Sequence, residues 1–123
     1  MAKVKQLTVS LENRPGTLAH MAKVLADAKV NVSALLGSTA GTQGSVQVVV
    51  DNVNKAKKAL GAAGLSYTEG MLEQVELANK PGALAELAGR LAKKGINIDC
   101  AYATLPKGAK KAVVVLALSG PTL

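Results

Sequence analysis

Phenylalanine and tryptophan are absent from this chain of 123 residues, and its only aromatic side chains are Tyr67 and Tyr102. Sheet proteins that bind single-stranded RNA stack the bases on aromatic side chains of their central strands. Both tyrosines lie outside the predicted central strands. The composition therefore disfavours RNA binding, although the net charge of +7 is compatible with it.

Cysteine and histidine are each present once, as Cys100 and His20. A single cysteine excludes an intrachain disulfide, a CxxC metal site and a dithiol redox pair, and it fits a reducing compartment. Cys100 falls in a predicted half-buried strand, where a thiol is usually inert. The position that matches His20 in the repeat described below is Glu86, which favours an exposed helix residue over a general base. We predict no catalytic residue, no metal site and no cofactor.

Long apolar runs are also missing. No run approaches the roughly 18 residues of a transmembrane helix, and the N-terminal residues MAKVKQLTVSLEN alternate instead of forming a signal-peptide core. The glycine-containing segment GSTAGTQG, residues 37–44, has neither the Lys nor the helix start of a phosphate-binding loop. We expect a soluble, cytoplasmic protein without a membrane partner and without catalytic activity.

An internal repeat is the main feature that is present. NRPGTLAHMAKVLADAKVNV at residues 13–32 returns 66 positions later as NKPGALAELAGRLAKKGINI at residues 79–98. Apolar positions outside these segments match at the same spacing. The second copy is therefore predicted to follow the first without insertions, with Val114 in the place of Val48.

Hydrophobic periodicity predicts a βαββαβ unit followed by an incomplete copy. The predicted elements of the first copy are strands at 6–11, 31–38, 45–51 and 65–68 and helices at 15–28 and 53–63. This arrangement is an α+β fold of tandem ferredoxin-like repeats, with antiparallel sheets and helices on one face. The second repeat ends after its third strand, and the two domains are predicted at residues 1–69 and 70–123.

Residues 67–77 contain no Pro and one Gly, which predicts one long strand shared by both repeats, with a bulge at Gly70. Later in the chain, AVVVLAL at residues 112–118 is apolar on both faces. Since Val113 and Val115 point away from the helix side, either the first repeat or another chain must cover them. The missing last strand also leaves a sheet edge that proteins tend to cover. We expect a homodimer.

Each repeat enters its first helix through an Asn-basic-Pro-Gly segment, here called the first corner (residues 13–16) and the second corner (residues 79–82). The first N–H groups of a helix lack intrahelical partners and attract a carboxylate or phosphate. A further Asn, Asn31 or Asn97, opens the next strand, and we expect it to return beside the corner of its own repeat. Two carboxamides would then hold the carboxylate and ammonium of a free amino acid without burying net charge.

LENRPGTLA with Asn31, repeated as LANKPGALA with Asn97, resembles the ACT-domain family of small-molecule-binding regulatory modules, from about Lys3 to Leu118. The resemblance implies a sensor that binds an amino acid between neighbouring ACT units and acts on a separately encoded metabolic enzyme. In the serine-regulated ACT domains of phosphoglycerate dehydrogenase a His stands two places before the loop Asn, where this chain has Leu11 and Leu77, so the ligand's side chain stays open. The ligand-binding residues implied across the two copies are Asn13, Arg14, Pro15, Gly16, Thr17, Leu18, Asn31, Asn79, Pro81, Gly82, Ala83, Leu84 and Asn97.

Two alternatives to amino-acid binding stay open from the sequence. The corners are also compatible with tight strand-to-helix connections in a pure dimerisation or interaction module, since Asn and Pro-Gly are common in turns. The second alternative is an RNA-binding ferredoxin-like protein. Whether both repeats form complete sites is also open, because the second copy lacks its last helix and strand.

Overall fold

The computed structural model describes residues 2–104 and 106–120. Its helices and strands are, in chain order, β1 (Ala2–Glu12), α1 (Thr17–Asp27), β2 (Val32–Ala40), β3 (Gln43–Val50), α2 (Val53–Ala62), β4 (Tyr67–Ala78), α3 (Ala83–Lys93), β5 (Asn97–Tyr102) and β6 (Lys111–Ser119). The order confirms a βαββαβ unit followed by βαββ. It also confirms the long strand shared by both repeats, which is β4.

The described chain separates into two compact units. The first unit is Lys5–Gly70, and the second contains the residues from Met71 onward together with the start of β1. The assignment of the repeats to residues 1–69 and 70–123 stays a prediction, as does the bulge at Gly70.

The first unit has the strand order β2-β3-β1-β4. β3 pairs antiparallel with β1 on one side and with β2 on the other, and the β2–β3 hairpin closes at the Ala40↔Gln43 pair. Alternating side chains of the strands meet the apolar stripes of α1 and α2 in one core, as the predicted periodicities require. The largest fully buried members of this core are Leu7, Val9, Met21, Leu25, Val48 and Leu60.

The second unit has the strand order β4-β6-β5, with antiparallel pairing throughout. Its single helix, α3, buries Leu87 and Leu91 against Val114 and Leu116 of β6. Among the apolar residues that face away from this core, Val113 is 46% exposed whereas Val115 is 3% exposed. The face opposite α3 is therefore only partly open, and the homodimer stays a prediction.

The pairing registers correct the predicted match between the two copies. Val9 pairs with Val46 and Val75 pairs with Val114, so Val114 takes the place of Val46 and not of Val48. The matching residues Val9 of β1 and Val75 of β4 are 66 positions apart in the sequence. Their pairing partners, Val46 and Val114, are 68 positions apart. The prediction of no insertions is wrong, because the paired residues Tyr102 and Val115 are 13 positions apart whereas the matching pair Leu36 and Gln47 is 11 apart.

Candidate functional site

The two corners have the same backbone. Gly16 and Gly82 precede α1 and α3 with φ values of 92° and 90°, in the left-handed region, and no side chain caps either helix. The first helical hydrogen bonds, from His20 N and Glu86 N to the two glycine carbonyls, are both 2.9 Å long. Thr17 N and Ala83 N donate long hydrogen bonds, of 3.5 and 3.4 Å, to Arg14 O and Lys80 O of the corners. The absence of a side-chain cap leaves the positive end of each helix dipole at the corner.

Glycine is required at these positions by the left-handed backbone conformation and not by lack of space, because a Cβ at Gly16 or Gly82 would meet nothing within 4 Å. We expect Gly16→Ala to lower the free energy of unfolding by about 1–2 kcal/mol, the cost of holding an L-residue at left-handed φ. Urea unfolding followed by circular dichroism measures this change. Gly61→Ala is the control, since Gly61 lies within α2 with equal space for a Cβ, and it should stabilise by about 0.4–1 kcal/mol. Equal effects of the two substitutions would contradict the assignment.

The Asn of each corner is fixed by two hydrogen bonds to the neighbouring hairpin connection. Asn13 Nδ2 donates to Gly41 O at 2.8 Å, and Asn79 Nδ2 donates to Ala109 O at 2.7 Å. The backbone N–H groups of Asn13 and Asn79 donate to Thr42 O at 2.9 Å and Lys110 O at 2.8 Å. With Nδ2 held in this way, each carboxamide offers its Oδ1 as a hydrogen-bond acceptor beside the helix start.

Asn31 lies at the far end of the first unit from Asn13. The backbone N–H of Asn31 donates to Asp51 Oδ1 at 3.0 Å, beyond the last residue of β3, whereas Asn13 contacts the turn before β3. β3 has 8 residues, so its two ends are about 23 Å apart at about 3.3 Å per residue. The expectation that Asn31 returns beside its own corner is wrong, because α1 carries the chain back along the sheet before β2 begins.

Asn97 has the same placement in the second unit. It opens β5 opposite Ser119 at the end of β6, while Asn79 lies beside the connection that precedes β6. Asn97 Nδ2 donates to Asp99 Oδ1 at 2.6 Å. Within one unit the structure therefore does not bring either pair of asparagines together, and a ligand-binding role for Asn31 and Asn97 stays a prediction.

A cavity of about 480 Å³ lies between the first corner and the adjacent ends of β2 and β3. Its lining includes all six predicted residues of this corner, Asn13, Arg14, Pro15, Gly16, Thr17 and Leu18. The lining is completed by strand residues that were not predicted as ligand-binding, namely Leu11, Glu12, Gly37, Ser38, Thr39, Gly44, Ser45 and Val46. The ferredoxin-like strand order could have predicted these residues. In that order the start of β3 lies between the end of β1 and the end of β2, so all three strand ends adjoin the corner.

The second corner borders a cavity of about 390 Å³. Of the predicted residues, the lining contains Asn79, Ala83 and Leu84, while Pro81 and Gly82 belong to the same turn. The walls are completed by Leu77, Ala78, Lys80, Ala101, Tyr102, Ala103, Ala112 and Val114. Burial, followed by the neighbouring Cys100, raises the pKa of Tyr102 above its ordinary value.

Two polar side chains of the first corner are occupied by local contacts. Arg14 Nε lies 2.6 Å from Glu12 Oε2, with both side chains mostly exposed. The Thr17 hydroxyl donates hydrogen bonds to Glu12 O at 2.8 Å and Arg14 O at 3.1 Å, and these contacts stabilise the turn. The backbone N–H groups of Asn13, Arg14 and Thr17 also donate within the protein, to Thr42 O, Glu12 O and Arg14 O. The groups that we consider for a ligand are therefore the later N–H groups of the first helical turn and the Asn13 carboxamide oxygen.

A third cavity, of about 650 Å³, lies on the other side of the first corner, between His20 and the segment Gly64–Ser66. It is the largest of the three but does not include the Asn13 carboxamide among its described lining residues. The cavities that contain the corner asparagines occur in both units and are therefore the better candidates for a repeated function.

Two ferredoxin-like repeats, each with an Asn-basic-Pro-Gly corner at the start of its first helix, define a tandem regulatory domain. The chain belongs to the ACT domain pair family, whose match spans residues 2–119. Family membership confirms the resemblance seen in the sequence and supports a regulatory role. Among functionally curated proteins, none matches the chain.

Solved structures show the same fold. A crystallised protein from Bacteroides thetaiotaomicron superposes with a TM-score of 0.90 at 31% identity, covering 96% of this chain and 81% of that one. The ligand-free regulatory subunit of aspartate kinase from Thermus thermophilus gives a TM-score of 0.68 at 16% identity, covering 93% and 82%. The corresponding subunit from Thermus flavus gives 0.59 at 18% identity, covering 94% and 84%. The two aspartate kinase subunits establish likeness of fold alone.

The described part of the chain contains no helix of the length and apolar character needed to cross a membrane.

Proposed function

We propose that the chain is a non-catalytic cytoplasmic sensor that binds a free amino acid at its corners and regulates a separately encoded metabolic enzyme. The observation that carries this proposal is the corner itself, built twice with an uncapped helix start, a fixed carboxamide and an adjoining cavity. Both cavities fall within the roughly 300–1,000 Å³ range of small-molecule pockets. Likeness in fold to regulatory subunits of aspartate kinase supports an enzyme as the regulated partner.

The corner chemistry suits the two charges of an amino acid. The N–H groups at the start of α1 or α3 bind the carboxylate, since the positive end of the helix dipole favours an anion. The Oδ1 atom of Asn13 or Asn79 accepts a hydrogen bond from the ammonium, because its Nδ2 is held by the hairpin. A neutral carboxamide does this without placing another charge beside the ligand.

A second copy of the chain completes the first site in this proposal. β2 ends the strand order of the first unit, and Val32 and Leu35 on it are 36% and 52% exposed, with Leu18 of α1 at 49%. Antiparallel pairing of β2 with β2 of a second copy sets the start of one strand against the end of the other. Asn31 of one copy then lies near Asn13 of the other, although the two are far apart within one unit.

A thermal-shift screen of the twenty amino acids tests the proposed function. A ligand that binds only the folded state stabilises it by about 2.7 kcal/mol at a hundred times its Kd, so a true ligand raises the melting temperature in a concentration-dependent manner. A flat screen would contradict amino-acid binding and favour the pure interaction module. The structure does not support the RNA alternative, because Tyr67 packs against the core of the first unit and does not present its ring for base stacking.

Asn13→Ala and Asn31→Ala are each expected to weaken amino-acid binding by about 1–3 kcal/mol, the cost of leaving a buried ligand group unpaired. Isothermal titration calorimetry measures the change. Asn54→Ala is the control, because Asn54 is an exposed residue of α2 outside the corner cavities. Unchanged affinity in both variants would remove these residues from the site.

Mixing the two variants distinguishes a shared site from one within a single copy. In a dimer of one Asn13→Ala chain and one Asn31→Ala chain, one of the two equivalent sites keeps both native asparagines and the other keeps neither. We expect tight binding to return in the mixed dimer at one site. Failure to recover tight binding after verified subunit exchange would contradict the antiparallel arrangement.

A further inference from the structure

We propose that the amino acid bound at the corners has an aliphatic side chain. This inference rests on the proposed function and adds the chemical class of the ligand. The proposed contacts of the helix start and the corner Asn hold the two charges that every free amino acid carries. The class of the ligand is therefore set by the side chains that form the rest of the cavity, and in the first unit those on the α1 side of the sheet are mainly apolar.

Three apolar residues, here called the apolar wall, line the first cavity on the α1 side. Leu11 of β1 and Val46 of β3 are buried members of the core of the first unit. Leu18, in the first turn of α1, also lines the cavity but is 49% exposed. A ligand side chain at this wall contacts the edge of the hydrophobic core, where a polar group would lose its hydrogen bonds to water without replacement.

The apolar wall recurs at the second corner. Its members there are Leu77, Leu84 and Val114, which all line the second cavity. Leu84, like Leu18, is mostly exposed within the single chain, at 61%. An exposed leucine adds little to the core, so we attribute its presence at both corners to contact with the ligand.

Gly37 leaves space beside the apolar wall of the first cavity. It pairs with Val46 across the hairpin, so a side chain at this position would point to the same face of the sheet. A Cβ on Gly37 would meet only the Cγ2 atom of Val46, at 4.0 Å, and the backbone of Gly37 is not in the left-handed region. The next residue of β2 on this face, Thr39, has its Cγ2 methyl group 3.6 Å from the position of a Cβ on Gly44. The glycine therefore keeps room for ligand methyl groups next to Val46.

Other polar side chains of the first cavity point away or are already paired. Ser38 and Ser45 pair with each other and lie on the face of the sheet opposite α1, because side chains alternate along each strand. The Thr17 hydroxyl donates to two backbone carbonyls of the turn. Glu12 and Arg14 form an ion pair with each other. An aliphatic ligand side chain therefore fits this cavity better than a hydroxyl or charged side chain does.

A second copy of the chain adds one more apolar residue to the first site. In the antiparallel β2 pair of the proposed function, with Leu35 close to its counterpart, the start of one β2 lies opposite Gly37 of the other. Val32 pairs with Val50 of the core and therefore points to the α1 side, where it is 36% exposed in the single chain. Val32 of one copy thus faces the space beside Gly37 of the other.

Calorimetric titration of the native chain with L-valine, L-threonine and L-alanine tests the inference. Valine and threonine have the same shape, and an apolar pocket discriminates against the added hydroxyl by about tenfold to a hundredfold. We expect valine to bind more tightly than threonine by a factor in this range. We also expect valine to bind about tenfold more tightly than alanine, which lacks two buried carbon atoms.

A double variant of the apolar wall tests the origin of the preference. Leu18→Ala together with Leu84→Ala is expected to weaken valine binding about tenfold and alanine binding less than about twofold, because the short side chain of alanine does not reach the leucines. Met71→Ala together with Val113→Ala is the matched control, since these residues are 57% and 46% exposed and lie outside the corner cavities. Melting curves of both double variants verify that the fold is retained.

Gly37→Val tests the space itself. The added side chain occupies the room beside Val46, so we expect valine to bind at least about tenfold more weakly at the first corner. The second corner is the internal control, because the substitution leaves it unchanged and its affinity for valine should stay native. Native affinity at both corners, in a variant with a native melting curve, would contradict the placement of the ligand side chain.

The outcomes separate this inference from the proposed function. If an amino acid with a polar, charged or aromatic side chain binds more tightly than valine, leucine and isoleucine, the inference is overturned and the proposed function stands. The same holds if the double leucine variant leaves the preference for valine over alanine unchanged. If none of the twenty amino acids binds the native chain, both fail. Tight valine binding that is lost in the double leucine variant supports both.

Discussion

Leu35→Glu is expected to convert the proposed dimer into a monomer and to weaken the proposed amino-acid binding at the first corner at least about tenfold, or 1.4 kcal/mol. Leu35 lies near the middle of β2 and is 52% exposed within the single chain. In the antiparallel pair proposed above, its side chain is close to that of its counterpart in the second copy. Two like charges there would face each other across an interface that buries apolar surface, which is strongly destabilising.

Light scattering coupled to size exclusion measures the first effect, as a fall from twice the chain mass of 12.5 kDa to a single chain. Asn54→Glu is the control, since it adds the same charge on the exposed side of α2, away from β2. A Leu35→Glu protein that stays dimeric would exclude β2 as the interface. A monomer with native ligand affinity would keep the interface but remove the second copy from the site.

Leu25→Ala is expected to lower the free energy of unfolding by about 2–5 kcal/mol, because it leaves a cavity in the core of the first unit. Leu25 is 1% exposed and belongs to the cluster formed by α1, α2 and their sheet. That core contains no Phe or Trp to absorb the loss by rearrangement. Since small proteins are stable by only about 5–15 kcal/mol, the change is a large fraction of the total.

Urea unfolding followed by far-UV circular dichroism measures this loss. Lys23→Ala on the same helix is the control, because its side chain is 75% exposed and its ion pair with Asp27 is on the surface, where such pairs contribute about 0–1 kcal/mol. A loss below about 1 kcal/mol for Leu25→Ala would mean that α1 contributes little to the core.

Binding at a site shared by two copies links the ligand to assembly. A ligand that contacts both Asn13 of one chain and Asn31 of another stabilises the dimer over the monomer by its differential affinity for the two states. In the proposed function, a change in the dimer population is the signal to the regulated enzyme. Asn13 connects the corner at residues 13–16 to the β2–β3 hairpin through its hydrogen bonds to Gly41 O and Thr42 O.

Local residue patterns were enough to predict each corner. Pro15 and Gly16, with their copies Pro81 and Gly82, predicted a strand-to-helix turn, and the structure shows both glycines at left-handed φ before an uncapped helix. The spacing of the leucines likewise predicted helices α1 and α3. These features depend on neighbours within a few residues, so the order of the amino acids is sufficient to specify them.

The sequence could not predict contacts that depend on register. A count of 66 residues between copies placed Val114 with Val48, but hydrogen-bond pairing places it with Val46. The two additional residues between the paired positions of β5 and β6 leave no mark in the apolar alternation. The strand residues of each cavity, such as Ser38 and Tyr102, depend on that register and were missed for the same reason.

By itself, the sequence determined that the chain folds as a tandem ACT domain pair with two equivalent helix starts, since periodicity, glycine placement and the internal repeat are local and redundant signals. Only the tertiary structure decided which side chains surround each corner and that Asn31 and Asn97 lie at the opposite ends of their units. The physical reason is that α1 and α3 carry the chain from the corner end of the sheet to its other end before β2 and β5 begin. Distance in space is therefore set by pairing and packing, which sequence separation does not record.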